Sequence, residues 1–492
     1  MVGRSVPRKE ARRRRPGPRR LTLCSRCGAQ GFAPAGRGAA ERPGPARRRP
    51  PVGDRRSVPS RGACQMPPGR DVAMASPADM VRPPAISVMT RVAVSALLAV
   101  VAAAATVQAI AAVGSDPARP DIVDFHPFYL AGTTAWTGRF AQSYDMPVMQ
   151  ALQRSFGGGR DVFMPFVYPP LFGLVMAPLA LLPLGLAFAL FTLGTFALFL
   201  AVMRRLAGAW FWHAVLAVSP ILLIEIRVGQ NGFLTAGLAG LAADLSLRRR
   251  GARAGLAAGA LAFKPQLATM LPVLFALRRD GRALATAVLA AALLSGAAVL
   301  VLGRDTVPAF LSSTSVVAEF MASGSFPLHR MTSAYAFALS LGVPARLALA
   351  IHGAVALSVI AAATVTAHRL GGHPASPAPS EPRTAAGVLL MATAFVSPYF
   401  FDYDLTIFGA GLALALPGLA RRMPARSLVL LLVGIGAVGA IDLVCGLFVA
   451  RSDASSLSLG GPAILACFGV VLRAARAPGT VRPGPRPVAP AA

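Results

Sequence analysis

Residues 283–302 read ALATAVLAAALLSGAAVLVL, a run of twenty residues that contains no charged side chain. A helix of this length spans about 30 Å, which is the thickness of the hydrocarbon core of a bilayer. Because backbone polar groups in lipid must be satisfied within the protein, the run predicts a membrane-spanning helix. Similar stretches occur near residues 92–113, 184–203, 209–226, 232–247, 344–367, 385–400, 402–420, 427–450 and 459–473.

Two more apolar stretches, 166–182 and 254–277, are interrupted by proline or lysine. Arginines lie at both ends of 254–277, and Lys264-Pro265 lies at its middle. Arginine-rich ends mark the cytoplasmic side, so we expect two half-length helices that enter from the cytoplasm and return to it. We expect 166–182 to re-enter from the outside. The pattern predicts an all-α polytopic membrane protein with about 10–12 membrane segments.

The composition agrees with a membrane protein. Of 492 residues, 55% are hydrophobic and 14% are charged, whereas soluble globular proteins carry about 25% charged residues. This balance excludes a soluble enzyme, a disordered protein and a disulfide scaffold. Cys24 and Cys27 have the spacing of half a zinc site, but no second half matches them, so we predict neither a metal site nor a disulfide.

The net charge of +29 would by itself suggest a nucleic-acid partner. Residues 1–85, however, hold 20 Arg or Lys and only 5 Asp or Glu in an Arg-Pro-Gly-rich sequence. We predict that they form a disordered arm, or that translation starts later, at Met74, Met80 or Met89. A membrane domain at 86–474 and a disordered cytoplasmic tail at 475–492 follow. The remaining arginines lie mostly in short loops, where they fix orientation, so no nucleic-acid partner is predicted.

That orientation leaves residues 114–165, the turn at 229–231, the loop at 303–331 and residues 397–404 outside. Asp124 lies in the first of these regions, beside Phe125 and several other apolar residues. A partly desolvated carboxylate has a pKa raised toward the range of a general base. The alternative is a solvated aspartate that caps a helix.

Lys264 is one of only two lysines in the chain and lies in the apolar sequence GALAFKPQLATM. A cation within a membrane segment is costly and usually faces a cavity or a partner. Pro265 breaks the helix at this point, and a lysine can bind phosphate as a point charge. The alternative is that the side chain snorkels toward a lipid headgroup.

Polar residues in the other external regions are candidates for substrate contacts. Gln230 and Asn231 either bind sugar hydroxyls or form a turn. Asp402 and Asp404 either cap a helix or hold a hydroxylated ligand. Arg330 lies on the external face, where it would assist the binding of phosphate.

Five stretches in order along the chain resemble glycosyltransferase family 87, and the resemblance covers roughly residues 90–445. They are DFHPFYLAGTTAWTGRFAQSYD, FVYPPLFGLVMAPLALLP, GQNGFLTAGL, AGLAAGALAFKPQLATMLPVL and SPYFFDYDL. The resemblance implies a GT-C fold and a polyprenyl-phosphate sugar donor. It matches Asp124 to the catalytic aspartate of the family, Lys264 to its Lys-Pro motif and Asp404 to its Tyr-Asp-Leu motif. At Tyr399 the chain departs from some mycobacterial mannosyltransferases, which have histidine there.

Together the residues and the resemblance predict a membrane glycosyltransferase. It would move a hexose, with mannose as one candidate, from a polyprenyl-phosphate donor to a lipid or glycan acceptor at the external face of the bacterial inner membrane. Transfer would invert the anomeric centre, with Asp124 as general base and with Lys264 and Arg330 binding the donor phosphate. The candidates for substrate binding are Tyr129, Tyr168, Gln230, Asn231, Gln266, Tyr399 and Asp404.

No cofactor is predicted, and metal dependence and oligomeric state stay open. The alternative class is a multi-span transporter or flippase of a lipid-linked sugar, which would also have broken helices and intramembrane charges. A membrane scaffold without catalytic activity is the third class.

Overall fold

The computed structural model describes residues 83–111, 124–156, 163–322, 327–371, 381–448 and 457–477. Residues 1–82 and 478–492, which hold nearly all of the predicted arm and tail, lie outside this part of the chain. Within it the protein is helical and has no strand, so the all-α prediction is confirmed. The helices are α1 (Val88–Ala111), α2 (His126–Trp136), α3 (Met146–Phe156), α4 (Pro170–Leu179), α5 (Leu184–Ala207), α6 (Phe211–Val228), α7 (Gly232–Leu247), α8 (Gly251–Gly259), α9 (Met270–Leu277), α10 (Gly281–Leu302), α11 (Thr306–Ala322), α12 (Ala334–Ser340), α13 (Ala345–Leu370), α14 (Pro382–Ala392), α15 (Thr406–Arg422), α16 (Ala425–Phe448) and α17 (Gly460–Arg476).

Six helical stretches in the described residues are long and apolar enough to cross a membrane. They are Val88–Val107, Leu184–Val228, Gly281–Leu302, Ala345–Leu370, Asp402–Arg422 and Ala425–Val444. The stretch Leu184–Val228 contains both α5 and α6, which separate at Gly208, where φ is +56°. The protein is therefore a multi-pass membrane protein, as the apolar runs predict.

Several segments that the sequence suggests as membrane segments form shorter helices. α7 has 16 residues and α4 has 10, so at 1.5 Å per residue they are about 24 and 15 Å long. The predicted segment 385–400 is not one helix, because α14 ends at Ala392 and a 3₁₀ turn, Thr393–Phe395, follows it. α7 packs against α5 and α15, and α14 packs against α13 and α15. These short helices thus bury their apolar side chains against protein.

The predicted break within 254–277 is confirmed. α8 and α9 are separated by two 3₁₀ turns, Ala260–Phe263 and Pro265–Leu267, with Lys264 between them. α8 is held against α10 by glycines one turn apart: a Cβ on Gly255 would lie 2.3 Å from the carbonyl oxygen of Ala283, and one on Gly259 would lie 2.6 Å from Cβ of Ala290. Small residues at this spacing let two helices approach closely in a membrane. The contact fixes α8 and therefore the position of Lys264.

The regions that the sequence predicts to lie outside the membrane contain helices as well as turns. In the first region α2, the 3₁₀ turn Phe140–Tyr144 and α3 form a structured segment, as expected. Residues 114–123 and 157–162 of this region lie outside the described residues. The prediction of a loop at 303–331 is wrong over 306–322, which form α11. This stretch is interrupted by only one charged residue, Glu319, and its short polar serines and threonines bond back to helical carbonyl groups, for example Ser313 to Phe310.

Candidate active site

A cavity of about 330 Å³ lies where the non-helical segments of the protein meet. It is bordered by the segment before α4, the break between α8 and α9, and the turn before α15. Its walls combine aromatic and aliphatic side chains with a few charged and amide groups, a composition common in ligand sites. The lining residues are Pro127, Phe128, Met164, Pro165, Val167, Tyr168, Pro169, Gln230, Phe263, Lys264, Pro265, Gln266, Phe310, Ser313, Thr314, Arg330, Ser397, Tyr399, Phe401, Tyr403 and Asp404.

Lys264 reaches this cavity because the helix is broken at its position. Its side chain is only 4% exposed, and Nζ donates to Oδ1 of Asp404 at 2.5 Å and to Oδ1 of Asn231 at 3.0 Å. The ammonium group also lies 5.7 Å from the ring centre of Tyr168 and 5.1 Å from that of Tyr403, within reach of cation–π attraction. Two of its three N–H groups are therefore bound by protein. The snorkelling alternative is wrong, because the side chain points into the protein.

Arg330 ends a 3₁₀ turn, Leu328–Arg330, ahead of α12. Its Nη1 donates to Oδ2 of Asp124 at 2.9 Å, and its Nε and Nη2 donate to the two carboxylate oxygens of Asp402 at 3.0 and 3.2 Å. Burial would lower the pKa of the guanidinium, but the charges of the two aspartates keep the pKa well above its ordinary value. An antiparallel bridge between Met331 and Phe401 holds the two turns side by side.

Asp124 is 1% exposed and lies just before α2. The helix-capping alternative is wrong, because Phe125 is the N-cap and no side chain caps this helix. Oδ2 accepts from Arg330, whereas Oδ1 is buried and has no hydrogen-bond partner among the described residues. Asp124 does not itself line the cavity. It adjoins the lining through Arg330 and through Gln230, whose Nε2 lies 3.5 Å from the Asp124 carbonyl oxygen.

Asp402 and Asp404 belong to one 3₁₀ turn, Asp402–Leu405, at the start of α15. Asp402 binds Arg330 with both oxygens and accepts from the backbone N–H of Tyr403 at 2.8 Å. Asp404 binds Lys264 with Oδ1 and accepts from the N–H of Phe401 with Oδ2 at 3.4 Å. Asp404 therefore combines a capping contact with an ion pair, whereas Asp402 forms an ion pair and accepts only from the adjacent backbone N–H.

The remaining predicted substrate residues fall into three groups. Tyr168, Gln230, Gln266 and Tyr399 line the cavity. The hydroxyl group of Tyr168 donates to Oε1 of Gln230 at 3.2 Å, and burial raises the pKa of this tyrosine. Asn231 does not line the cavity but accepts from Lys264. Tyr129 lies apart, and its hydroxyl group donates to the carbonyl oxygen of Leu182 at 2.9 Å.

Asp442, a carboxylate on α16, is not among the residues that the sequence predicts for the site. Its side chain is 2% exposed, and Oδ2 has no hydrogen-bond partner in the described part of the chain. It is close enough to Asp402 and Arg330 to interact electrostatically with both. A lone carboxylate in an apolar segment is itself a signal of function, and this signal could have found it. Within the described ranges, no group of three or more His, Cys, Asp or Glu side chains is arranged to hold a metal ion.

The fold and the cavity define a class: a multi-pass helical membrane protein with buried ion pairs beside a largely apolar cavity. A sequence model of glycosyltransferase family 87 matches residues 166–398. The match supports glycosyltransferase activity and confirms, over these residues, the resemblance noted in the sequence. The match includes Lys264 and Arg330, whereas Asp124, Asp402 and Asp404 lie outside its ends. Neither the curated proteins nor the solved structures provide a match.

Proposed function

We propose that the protein transfers a hexose from a polyprenyl-phosphate donor to a hydroxyl group of a lipid or glycan acceptor. The observation that carries this proposal is that Lys264 and Arg330, both buried, line one cavity whose walls are otherwise largely apolar. These two cations would match the charged phosphate of such a donor, and the apolar walls would match its polyprenyl tail. Mannose is one candidate sugar.

In the proposed reaction the Asp124 carboxylate removes the proton from an acceptor hydroxyl group. The acceptor oxygen attacks the anomeric carbon, and the bond between that carbon and the phosphate oxygen breaks on the opposite face. The electron pair leaves with the polyprenyl phosphate, so the anomeric centre is inverted, as in single-displacement glycosyl transfer. Lys264 and Arg330 stabilise the charge that develops on the leaving phosphate.

The hydrogen bonds of the three aspartates favour Asp124 as the base. Both oxygens of Asp402 and both oxygens of Asp404 accept hydrogen bonds from protein groups. Oδ1 of Asp124 accepts none within the described residues, so this oxygen has a lone pair available for a proton. Arg330 holds Oδ2 and thereby orients the carboxylate. The acceptor must reach Oδ1 past Arg330 or Gln230, which separate Asp124 from the cavity.

The two cations retain donor groups for phosphate. Lys264 has three N–H groups, of which two are bound, and Arg330 has five, of which three are bound. Tyr168, Gln230, Gln266 and Tyr399 supply hydroxyl and amide groups around the cavity, which suit sugar hydroxyls. The aromatic rings of Phe128, Phe263 and Phe310 supply apolar surface for the start of the lipid chain.

The arginines support a location at the external face of the bacterial inner membrane. Arg248 follows α7, and Arg421 and Arg422 end α15, whereas the cavity lies at the opposite ends of these two helices. Arginine-rich ends stay in the cytoplasm, so the cavity faces outward.

The proposal is tested by replacing Asp124 with Asn and measuring sugar transfer from a labelled polyprenyl-phosphate hexose to endogenous acceptors in membranes. We expect a loss of about 10²- to 10⁴-fold, because a general base contributes that much. Asp244→Asn is the matched control, since Asp244 is equally buried and ion-paired but binds Arg205 and Arg248 away from the cavity. Expression is matched for both variants. Full activity of Asp124→Asn would exclude the proposed base.

A further inference from the structure

A second cavity, of about 550 Å³, is lined by three arginines, Arg249, Arg278 and Arg279. His368 also lines it, and Leu274, Leu277 and Leu389 supply apolar walls. In the described part of the chain, no Asp or Glu side chain lines it. Its size is that of a small-molecule site. The glycosyl-transfer reaction proposed above does not use it.

The second cavity lies at the other end of the helices that form the first. α7 begins beside Gln230, which lines the first cavity, and ends near Arg249, which lines the second. α9 likewise leads from the break after Lys264 to Leu277. With 16 residues, α7 separates the two cavities by about 24 Å along its axis. Ligands in the two cavities are therefore separate.

Two of the arginines occupy backbone positions that favour glycine. Arg249 has φ of +59° and Arg279 has φ of +53°, each just beyond the end of a helix. In both places the next N–H donates back into the last turn, from Arg250 to Leu245 and from Asp280 to Phe275, both at 2.9 Å. Glycine is the usual residue at this helix-ending position because other side chains are strained there. An arginine at both equivalent positions points to a role for the side chain.

The third arginine, Arg278, is held by hydrogen bonds to the end of α7. Its Nη2 donates to the carbonyl oxygens of Ser246 and Leu247 at 3.1 and 3.4 Å, while its buried Nε has no hydrogen-bond partner in the described residues. Burial and, after it, the charge of Arg249 lower the pKa of Arg278, and the charge of Asp280 offsets them only in part. Asp280, which follows Arg279 in the chain, is engaged in capping α10 at Ala283. The arginines thus converge on a cavity whose described lining residues include no carboxylate.

We propose that the second cavity binds a phosphate group carried by a phospholipid headgroup. The guanidinium groups would bind the phosphate, and the leucines would contact the glycerol and the upper part of the acyl chains. Basic pockets between membrane helices at the cytoplasmic side bind anionic headgroups in this way. The proposal does not depend on the reaction at the first cavity.

Full-length protein in a neutral detergent is titrated with short-chain phosphatidylglycerol, with short-chain phosphatidylcholine and inorganic phosphate as comparison ligands. The test variant is Arg249→Gly/Arg279→Gly, in which glycine suits the positive φ angles, so the fold is kept and the unfolding temperature should not fall. We expect about 25-fold weaker binding of phosphatidylglycerol, because each of the two arginines near an anionic surface contributes about five-fold. The control is Arg253→Gln/Arg282→Gln, which removes the same charge from exposed positions that do not line the cavity.

The proposal holds if phosphatidylglycerol binds with similar affinity to the unaltered protein and to the control, and about 25-fold more weakly to the glycine variant. If both double variants bind phosphatidylglycerol equally weakly, the effect is due to general surface charge and the proposal is overturned. Absence of binding by phosphatidylglycerol and by phosphate would also overturn it. If inorganic phosphate binds as tightly as phosphatidylglycerol, phosphate recognition stands and the lipid as its source is rejected.

Discussion

The guanidinium group of Arg330 donates to Oδ2 of Asp124 at 2.9 Å, although 206 positions of sequence separate the two residues. The same guanidinium binds Asp402 through two further hydrogen bonds. One buried side chain thus joins the start of α2, the turn before α12 and the turn before α15. Removing one member of a buried ion pair is costly, because the remaining charge has no partner.

Replacing Arg330 tests this junction. Arg330→Met should lower the free energy of unfolding by about 3–5 kcal/mol, because it leaves two buried carboxylates unpaired. Arg330→Lys should cost less stability but still lose most transfer activity, since an ammonium group lacks the planar fork that binds two carboxylates. Unfolding of the detergent-solubilised protein and sugar transfer are measured together.

The control for this pair is Arg304→Met, because Arg304 is exposed and should tolerate the change within about 0.5 kcal/mol. Wild-type stability and activity of Arg330→Lys would contradict the prediction.

The pair of Lys264 and Asp404 allows stability and activity to be separated. Lys264→Met should destabilise the protein by about 3–5 kcal/mol, because Asp404 is then buried without its cation. Adding Asp404→Leu should restore most of that stability, since an apolar pair of similar volume often replaces a buried ion pair without loss.

Sugar transfer should stay low in the single and the double variant, because both lack the proposed ligand of the donor phosphate. If the stable double variant transfers sugar at the wild-type rate, Lys264 has no role in phosphate binding and its contact with Asp404 is structural.

The break at Lys264 was predictable because its signals are local. Proline removes a helical hydrogen bond and lysine is costly in lipid, and the two residues are adjacent. Asp124 could likewise be singled out as a candidate site residue, because aromatic residues lie close to it in the sequence. Its partner could not, since nothing in the sequence pairs residue 124 with residue 330. The position of Tyr129 outside the cavity depends in the same way on how α2 packs.

The lengths of the helices were less predictable than their existence. An apolar run shows that a segment is buried, but hydropathy does not distinguish burial in lipid from burial in protein. α15 and its neighbour α14 are buried mostly against protein, and α14 is short. The second cavity was also not predictable, because arginines in short loops are expected for orientation alone and their convergence arises from the packing of α7 against α9.

The close contact between α8 and α10 gives a prediction for glycine. Gly255→Ala should destabilise the protein by about 1–3 kcal/mol, because the new Cβ would lie 2.3 Å from the carbonyl oxygen of Ala283 and the helices must move apart. Since α8 positions Lys264, transfer activity should fall as well. Gly296→Ala on α10 is the matched control, because a Cβ there meets no atom within 4 Å. An equal effect of both substitutions on unfolding would show that close packing is not the cause.

Glu381 gives a prediction for the dependence of stability on pH. Its carboxylate lies 3.0 Å from Arg421 and 3.4 Å from Arg422, and accepts from the hydroxyl group of Thr384 at 2.8 Å. Burial alone would raise the pKa of Glu381, but the hydrogen bonds and the arginine charges outweigh it and lower the pKa below its ordinary value of 4.5. The Glu381 carboxylate therefore binds a proton less readily in the folded state than in the unfolded state.

The ionised Glu381 carboxylate contributes its full stabilisation at pH values above its pKa in the unfolded state. This contribution is lost as the pH falls through its lower pKa in the folded state. Glu381→Gln should reduce the free energy of unfolding at neutral pH by up to about 1 kcal/mol and flatten its decline below about pH 4.5. Arg421→Gln should weaken the same decline, because it removes part of what lowers the pKa. Unfolding is followed by tryptophan fluorescence between neutral and acidic pH, and an unchanged acid decline in Glu381→Gln would assign the acid sensitivity to other carboxylates.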